Sequence, residues 1–217
     1  RTPRSILITG ASSGIGAALA QEYAAPGMSL ALSGRDADRL TNVAEACRSA
    51  GAVVDMEILD VADVSAMGAW IAAADATYPL DLVVANAGIS GGTAGSVESD
   101  EQARAIFRTN VDGVLNTIHS VAALMRKRGG GQIAVVSSLA AFRGYPSAPA
   151  YSASKAAIRV YGEALRGALA ADGINVTVVC PGYIRSRMTA ANNFPMPMLM
   201  DADSAARIIR HGLAKNR

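Results

Sequence analysis

A chain of 217 residues, 51% of them apolar, is long enough to bury one sizeable core and short for two. Its 20 Lys and Arg against 18 Asp and Glu leave a net charge of +2 with both signs scattered, so neither nucleic acid nor an anionic membrane surface is indicated as partner. Two distant cysteines, Cys47 and Cys180, without CxxC spacing or clustered histidines, point to a reducing compartment and no structural metal.

Arg1-Thr2-Pro3-Arg4 leads straight into a short apolar run rather than a signal peptide, and no run approaches the length of a membrane span; a cytoplasmic protein is expected. Strand patterns at residues 5–9, 29–33, 53–59 and 82–85 alternate with helical patterns at 15–24, 37–49 and 64–76. Residues 100–128 read as one long helix or two joined ones. A strand at 132–137, a helix, a strand at 175–180 and a last helix at 204–213 complete the chain. Strands and helices alternating at this spacing predict a parallel sheet covered on both faces, with right-handed crossovers, in one domain over residues 1–217.

The first strand-to-helix turn is Thr9-Gly10-Ala11-Ser12-Ser13-Gly14-Ile15-Gly16. Glycines there let the backbone turn tightly and approach a pyrophosphate, which the free N–H groups and dipole of a helix start favour. Tyr151-Ser152-Ala153-Ser154-Lys155 precedes the alanine-rich residues 156–169, so it reads as the start of a helix. Four residues apart on that helix, Tyr151 and Lys155 share a face. An ammonium beside a phenol favours the phenolate and suits the tyrosine to proton transfer.

The turn's G-x3-G-x-G spacing, with Asn86-Ala87-Gly88, Asn110, Ser138, Tyr151-x3-Lys155 and Pro181-Gly182 in order, resembles the single-domain short-chain dehydrogenase/reductase family over nearly the whole chain. The resemblance implies a Rossmann-like, doubly wound α/β sheet and hydride transfer between a nicotinamide cofactor and a carbonyl or alcohol. It makes Tyr151 the general acid or base and gives Ser138 the substrate oxygen. Lys155 would bind the nicotinamide ribose and depress the tyrosine pKa, and Asn110 would hold a relay water through a carbonyl freed by helix distortion. Neighbours in a strand face opposite ways, so only one of Ser137 and Ser138 faces the site, and the tyrosine spacing favours Ser138.

For the cofactor, the resemblance assigns Gly10, Ser12, Ser13, Gly14, Ile15 and Gly16 to the diphosphate turn and Asp60 and Val61 to the adenine. Asn86, Ala87 and Gly88 would leave the fourth strand beside it, with Ala85 replacing a usual asparagine. Pro181, Gly182, Ile184 and Ser186 would meet the carboxamide and diphosphate. Gly34 stands where NAD-preferring members carry Asp, and Arg35 follows; a guanidinium grips a 2′-phosphate and stacks on adenine, favouring NADP over NAD. Against that, no basic residue stands within the glycine motif, where Ser13 sits, and Asp36 has the choice of the ribose or the helix it precedes. Asp63 is a better cap candidate than Asp60.

Residues 141–146, Tyr183 and 188–200 are expected around the pocket mouth, with a lid over about 186–202. Met188, Phe194, Met196, Met198 and Met200 suggest an apolar substrate, or packing against the body or another subunit. Relatives add a seventh strand after the last helix, where this sequence stops at Arg217; either the sheet is abbreviated or a tail follows that this sequence does not include. Small Ala153, Ala156, Ala157 and Ala164 permit close helix packing, and the resemblance implies a homodimer or homotetramer through this helix and residues 112–125. The rival is a catalytically silent dinucleotide-binding regulator, against which Ser138, Asn110, Tyr151 and Lys155 argue together. An extended-branch sugar-nucleotide epimerase is disfavoured by length and glycine spacing.

Overall fold

The computed structural model describes residues 3–91 and 97–216; Arg1, Thr2 and Arg217 of the terminal readings lie outside them. Six strands, β1 (Ser5–Thr9), β2 (Ser29–Gly34), β3 (Val53–Ile58), β4 (Leu82–Ala85), β5 (Gly131–Val136) and β6 (Ile174–Val179), pair in parallel in the order β3-β2-β1-β4-β5-β6. The expected doubly wound sheet is therefore present, six-stranded among the described residues. Its order reverses between β1 and β4, so a crevice opens at the carboxyl ends of those strands.

Every residue of β1 and β4 is buried, as central strands covered on both faces require. Alternation divides them between two cores. Leu7 and Val83 pack with Trp70, Val121 and Ile158, while Ile6, Ile8 and Val84 pack with Leu19, Leu40 and Ile209 on the opposite face. The edge strand β3 is largely exposed. The covering helices are α1 (Gly14–Tyr23), α2 (Ala37–Ser49), α3 (Val64–Thr77), α4 (Asp100–Phe107), α5 (Gly113–Arg128), α6 (Pro149–Ala168), the short α7 (Arg187–Ala190) and α8 (Ala202–Ala214). None of them is long and apolar enough to cross a membrane among the described residues.

Residues 100–128 are two helices joined by a π-helical segment, Arg108–Asp112. The first helix starts at a capping box in which Ser99 and Gln102 satisfy each other's backbone N–H. Asp36 accepts from the Arg39 amide and Asp63 from the Ala66 amide. Both aspartates therefore cap helices, and Asp36 takes that alternative over the ribose. Helix α6 begins at Pro149, where the missing N–H costs nothing and φ is preset, which puts Tyr151 in its first turn. The α7 turn and a 3₁₀ turn at Leu139–Phe142 are additions to the expected pattern, each too short to show a helical period.

Candidate active site

Thr9 ends β1, and its hydroxyl accepts from the Asn86 and Ala87 amides while donating to the Val84 carbonyl. Asn86 then donates to the Thr9 and Gly10 carbonyls at 2.9 and 3.2 Å. The β1–α1 turn is thus clamped from β4, and Asn86 uses its side chain on the turn itself. Gly10 takes φ +66°, a conformation glycine adopts without strain. A Cβ on Gly16 would lie 2.4 Å from the Gly10 carbonyl oxygen and 2.6 Å from Asn86 Nδ2, so helix and turn meet only because no side chain stands there. We expect Gly16→Ala to destabilise the fold by about 1–3 kcal/mol through overpacking and to weaken dinucleotide binding at least tenfold; thermal unfolding and cofactor fluorescence check both, and an unperturbed variant would refute the clamp.

Ser13 is the extended N-cap of α1, with no side-chain hydrogen bond to the helix and no acidic residue in the first turn. That helix start keeps its donors for an anion. Ser186 lies across from it: a Cβ on Gly14 would come 3.2 Å from Ser186 Cβ. Ile15 packs partly against the α1-side core. Ser12 covers Gly34, where an added Cβ would be 3.0 Å from Ser12 Cβ. Arg35, exposed, stands 3.9 Å from Asp60; Asp60 also accepts from the Ala62 amide, and Val61 is buried.

On the other side of the switch point, Asn110 lies inside the π segment and is fully buried. The distortion expected there is present. Its side chain accepts from the Ile89 amide at 2.8 Å and donates to the Ile89 carbonyl and Ser154 hydroxyl. Gly88 sits against it, with room for a Cβ only at 3.2 Å from both Asn110 Oδ1 and Lys155 Nζ. Pro181 accepts from the Leu139 amide, Gly182 lies beside the Leu139 side chain, and Ile184 bridges to Met200.

Ser137 and Ser138, just past the end of β5, have different partners. The Ser137 hydroxyl donates to the Lys155 carbonyl at 2.7 Å, whereas Ser138 caps the following 3₁₀ turn through the Ala140 amide and lies near the Tyr151 phenol. Lys155 is buried, its Nζ donating to the Val136 carbonyl at 2.9 Å and lying 5.9 Å from the Tyr151 ring centroid. Burial pushes the Lys155 ammonium down to about 8. Burial also pushes the Tyr151 phenol above its ordinary value, with the nearby Ser138 hydroxyl opposing. This corrects the expectation of a depressed tyrosine: spacing brings the lysine near, but its ammonium turns to Val136 and desolvation of the phenolate dominates.

Met188, Phe194 and Met198 are exposed, and Tyr183 meets Phe194 edge-on at 6.1 Å between centroids. A groove of about 530 Å³ runs along residues 140–146, Pro149, Ser152, Ala153 and Ala156. It follows the flank of α6 that carries Ser152 rather than Tyr151, so it lies beside the proton-transfer groups.

Sequence reasoning passed over Thr9 as a turn former and missed Glu98, which reaches the start of α6 from outside. The absence of a capping side chain at Ala148 was the one signal that something else must serve that helix.

A family model described as short chain dehydrogenase matches residues 4–195. An uncharacterized oxidoreductase of Myxococcus xanthus is 41% identical over 213 residues, covering 98% of this chain and 84% of that protein. A short-chain dehydrogenase/reductase of Burkholderia phymatum in complex with NAD superimposes with a TM-score of 0.88 at 25% identity, over 99% of this chain and 86% of that one. A short-chain dehydrogenase of Sphingobium yanoikuyae in complex with NADPH gives 0.87 at 26% identity, over 98% and 85%.

Proposed function

This chain belongs to the short-chain dehydrogenase/reductase family of NAD(P)-dependent oxidoreductases, and from that premise we propose that it is an NADPH-preferring reductase of apolar carbonyl compounds. The observation that carries the reading is the Ser138–Tyr151–Lys155 arrangement at the carboxyl end of β5, facing the clamped glycine turn across the switch point.

A dinucleotide fits the residues present. Gly10, Gly14 and Gly16 put no side chain into the turn, the α1 donors lack side-chain partners, and Ser186 stands opposite. Asp60 and Val61 would border the adenine end, Ala87 and Gly88 the centre, and Pro181, Gly182 and Ile184 the carboxamide end. A nicotinamide held there would supply hydride to the carbonyl carbon, or accept it from the alcohol in reverse. Ser138 holds the carbonyl oxygen, and Tyr151 donates its phenolic proton to that oxygen. A phenol kept protonated by burial is suited to the donor role at neutral pH. Lys155 would hold the ribose hydroxyls and stabilise the phenolate left behind, and Asn110 would keep a water in line to return the proton.

Family relatives bind either nicotinamide, so the choice is argued from β2. Ser12 fills the space above Gly34 that an acidic side chain would occupy, and Arg35 leaves its guanidinium exposed for a 2′-phosphate. Arg35→Ser should weaken NADPH about 10- to 100-fold, the worth of charged hydrogen bonds, and change NADH less than threefold; an unchanged affinity ratio would remove the NADP argument. The exposed Phe142, Tyr145, Met188, Phe194 and Met198 support an apolar substrate. The exposed flank of α6, with Val160 at 53%, supports a homodimer or homotetramer.

The direct test is consumption of NADPH and NADH against a panel of apolar ketones, aldehydes and diketones. Tight NADPH binding without turnover across the panel would defeat the enzyme reading of this site in favour of a regulatory dinucleotide binder.

A further inference from the structure

Helix α6 carries Tyr151 as its third residue, in the turn where helices fray first and four N–H groups lack partners. Its own sequence offers no cap: Ala148 occupies the N-cap position with no side-chain hydrogen bond. Pro149 has no N–H, and the Ser152 amide returns to the Ala148 carbonyl. The two remaining amides, those of Ala150 and Tyr151, donate to the two carboxylate oxygens of Glu98 at 2.5 and 3.1 Å. Glu98 is distant in sequence and only 9% exposed. A buried carboxylate here is matched by charged hydrogen bonds and the positive end of the helix dipole.

The carboxylate is itself held. Ser99 follows it and opens α4 through the capping box, and the same Gln102 that closes the box donates to the Gly91 carbonyl at 3.0 Å. The residue that ends on the Tyr151 amide is therefore rooted in a locked helix start, not in a free loop.

We infer that Glu98 is a positioning residue for proton transfer: it fixes the first turn of α6, and with it the reach of the Tyr151 hydroxyl toward the substrate oxygen. The inference rests on Tyr151 being the proton donor. Misplacing a reacting group by about 1 Å costs about 100-fold in rate, and a frayed first turn moves the phenol by that order. Neither amide belongs to the dinucleotide cradle, so cofactor affinity is set elsewhere.

The test is Glu98→Gln, which keeps shape but turns an NH₂ group against one of the two amides, with Glu98→Ala beside it. Asp75→Ala is the control. Asp75 is also a carboxylate that accepts a backbone amide, that of Leu80, and pairs with Arg128, but it precedes β4 at the opposite end of the sheet. For a ketone that the wild type reduces, Glu98→Gln should lower kcat about 10- to 100-fold with the NADPH Kd within twofold. Its Tm should fall no further than that of Asp75→Ala, whose kcat stays at the wild-type value. Amide exchange at Ala150 and Tyr151 should quicken at least tenfold while Ile158 keeps its protection. An unchanged kcat overturns the inference, as does a kcat loss matched by lost NADPH affinity or shared by Asp75→Ala. Tyr151→Phe run in parallel separates the two readings. If it turns over normally, the proton-donor role fails; if it is inactive while Glu98→Gln is normal, only the positioning role fails.

Discussion

Tyr151→Phe is expected to lower turnover by about 10²- to 10⁴-fold, the range for removing a positioned general acid, with NADPH affinity and Tm near their wild-type values. The phenyl ring refills the volume, and the hydroxyl removed lies near Ser138. The glycine turn, its Asn86 clamp and the α1 start lie on another strand and do not depend on that oxygen. Stopped-flow oxidation of NADPH separates the chemical step from binding. A variant that binds NADPH as before but reduces the ketone at an undiminished rate would exclude Tyr151 as the donor. Because burial holds the phenol above its ordinary value, wild-type ketone reduction should not decline on the tyrosine's account between pH 6 and 8.

Lys155→Met should also abolish efficient turnover, yet it should stabilise the protein near neutral pH. A buried ammonium whose pKa falls from 10.5 to about 8 corresponds to about 3 kcal/mol of unfavourable charging in the fold. The lost hydrogen bond to the Val136 carbonyl offsets about 1 kcal/mol or more of that. The net is roughly 1–2 kcal/mol, several degrees in Tm for a domain of this size. The sign in pH follows from linkage. Below about 8 both folded and unfolded lysines are charged and the full penalty is present. Between 8 and 10.5 the unfolded lysine binds more protons than the folded one, so wild-type stability from this group rises with pH. The advantage of Lys155→Met therefore shrinks as pH rises from 8 toward 10, which thermal unfolding of both proteins across that range reads directly. A variant less stable than wild type at pH 7, or an advantage that grows with pH, would contradict the cost assigned to the buried charge.

The sheet was legible because its central strands are buried on both faces, so Ile6-Leu7-Ile8 and Leu82-Val83-Val84 read as unbroken apolar runs. Ser137 and Ser138 lie just past the end of β5 at Val136, where strand alternation no longer orders side chains, and their different partners are set by α6 and the 3₁₀ turn. What escaped the sequence depends on groups brought together from afar. Tyr151 and Lys155 are visibly one turn apart, but the pull of Val136 on the ammonium and the dry surroundings of the phenol are tertiary facts. Glu98 serves a helix that starts far along the chain, and no local pattern announces such a cap. The α7 turn is closed by Ser186 and Thr189, outside the Glu or Gln form by which a capping box is recognised.

The π segment at Arg108–Asp112 also acts as a phase dislocation along the α4–α5 rod. One residue more or less turns everything beyond it by about 100°. Ile106 before it and Val114, Ile118, Val121 and Met125 after it face the interior together only with this offset. The segment should therefore accept exchanges of side chain more readily than changes of length. Insertions and deletions between 108 and 112 would rotate the whole apolar stripe of α5 out of register with the sheet, a long way from the residue gained or lost.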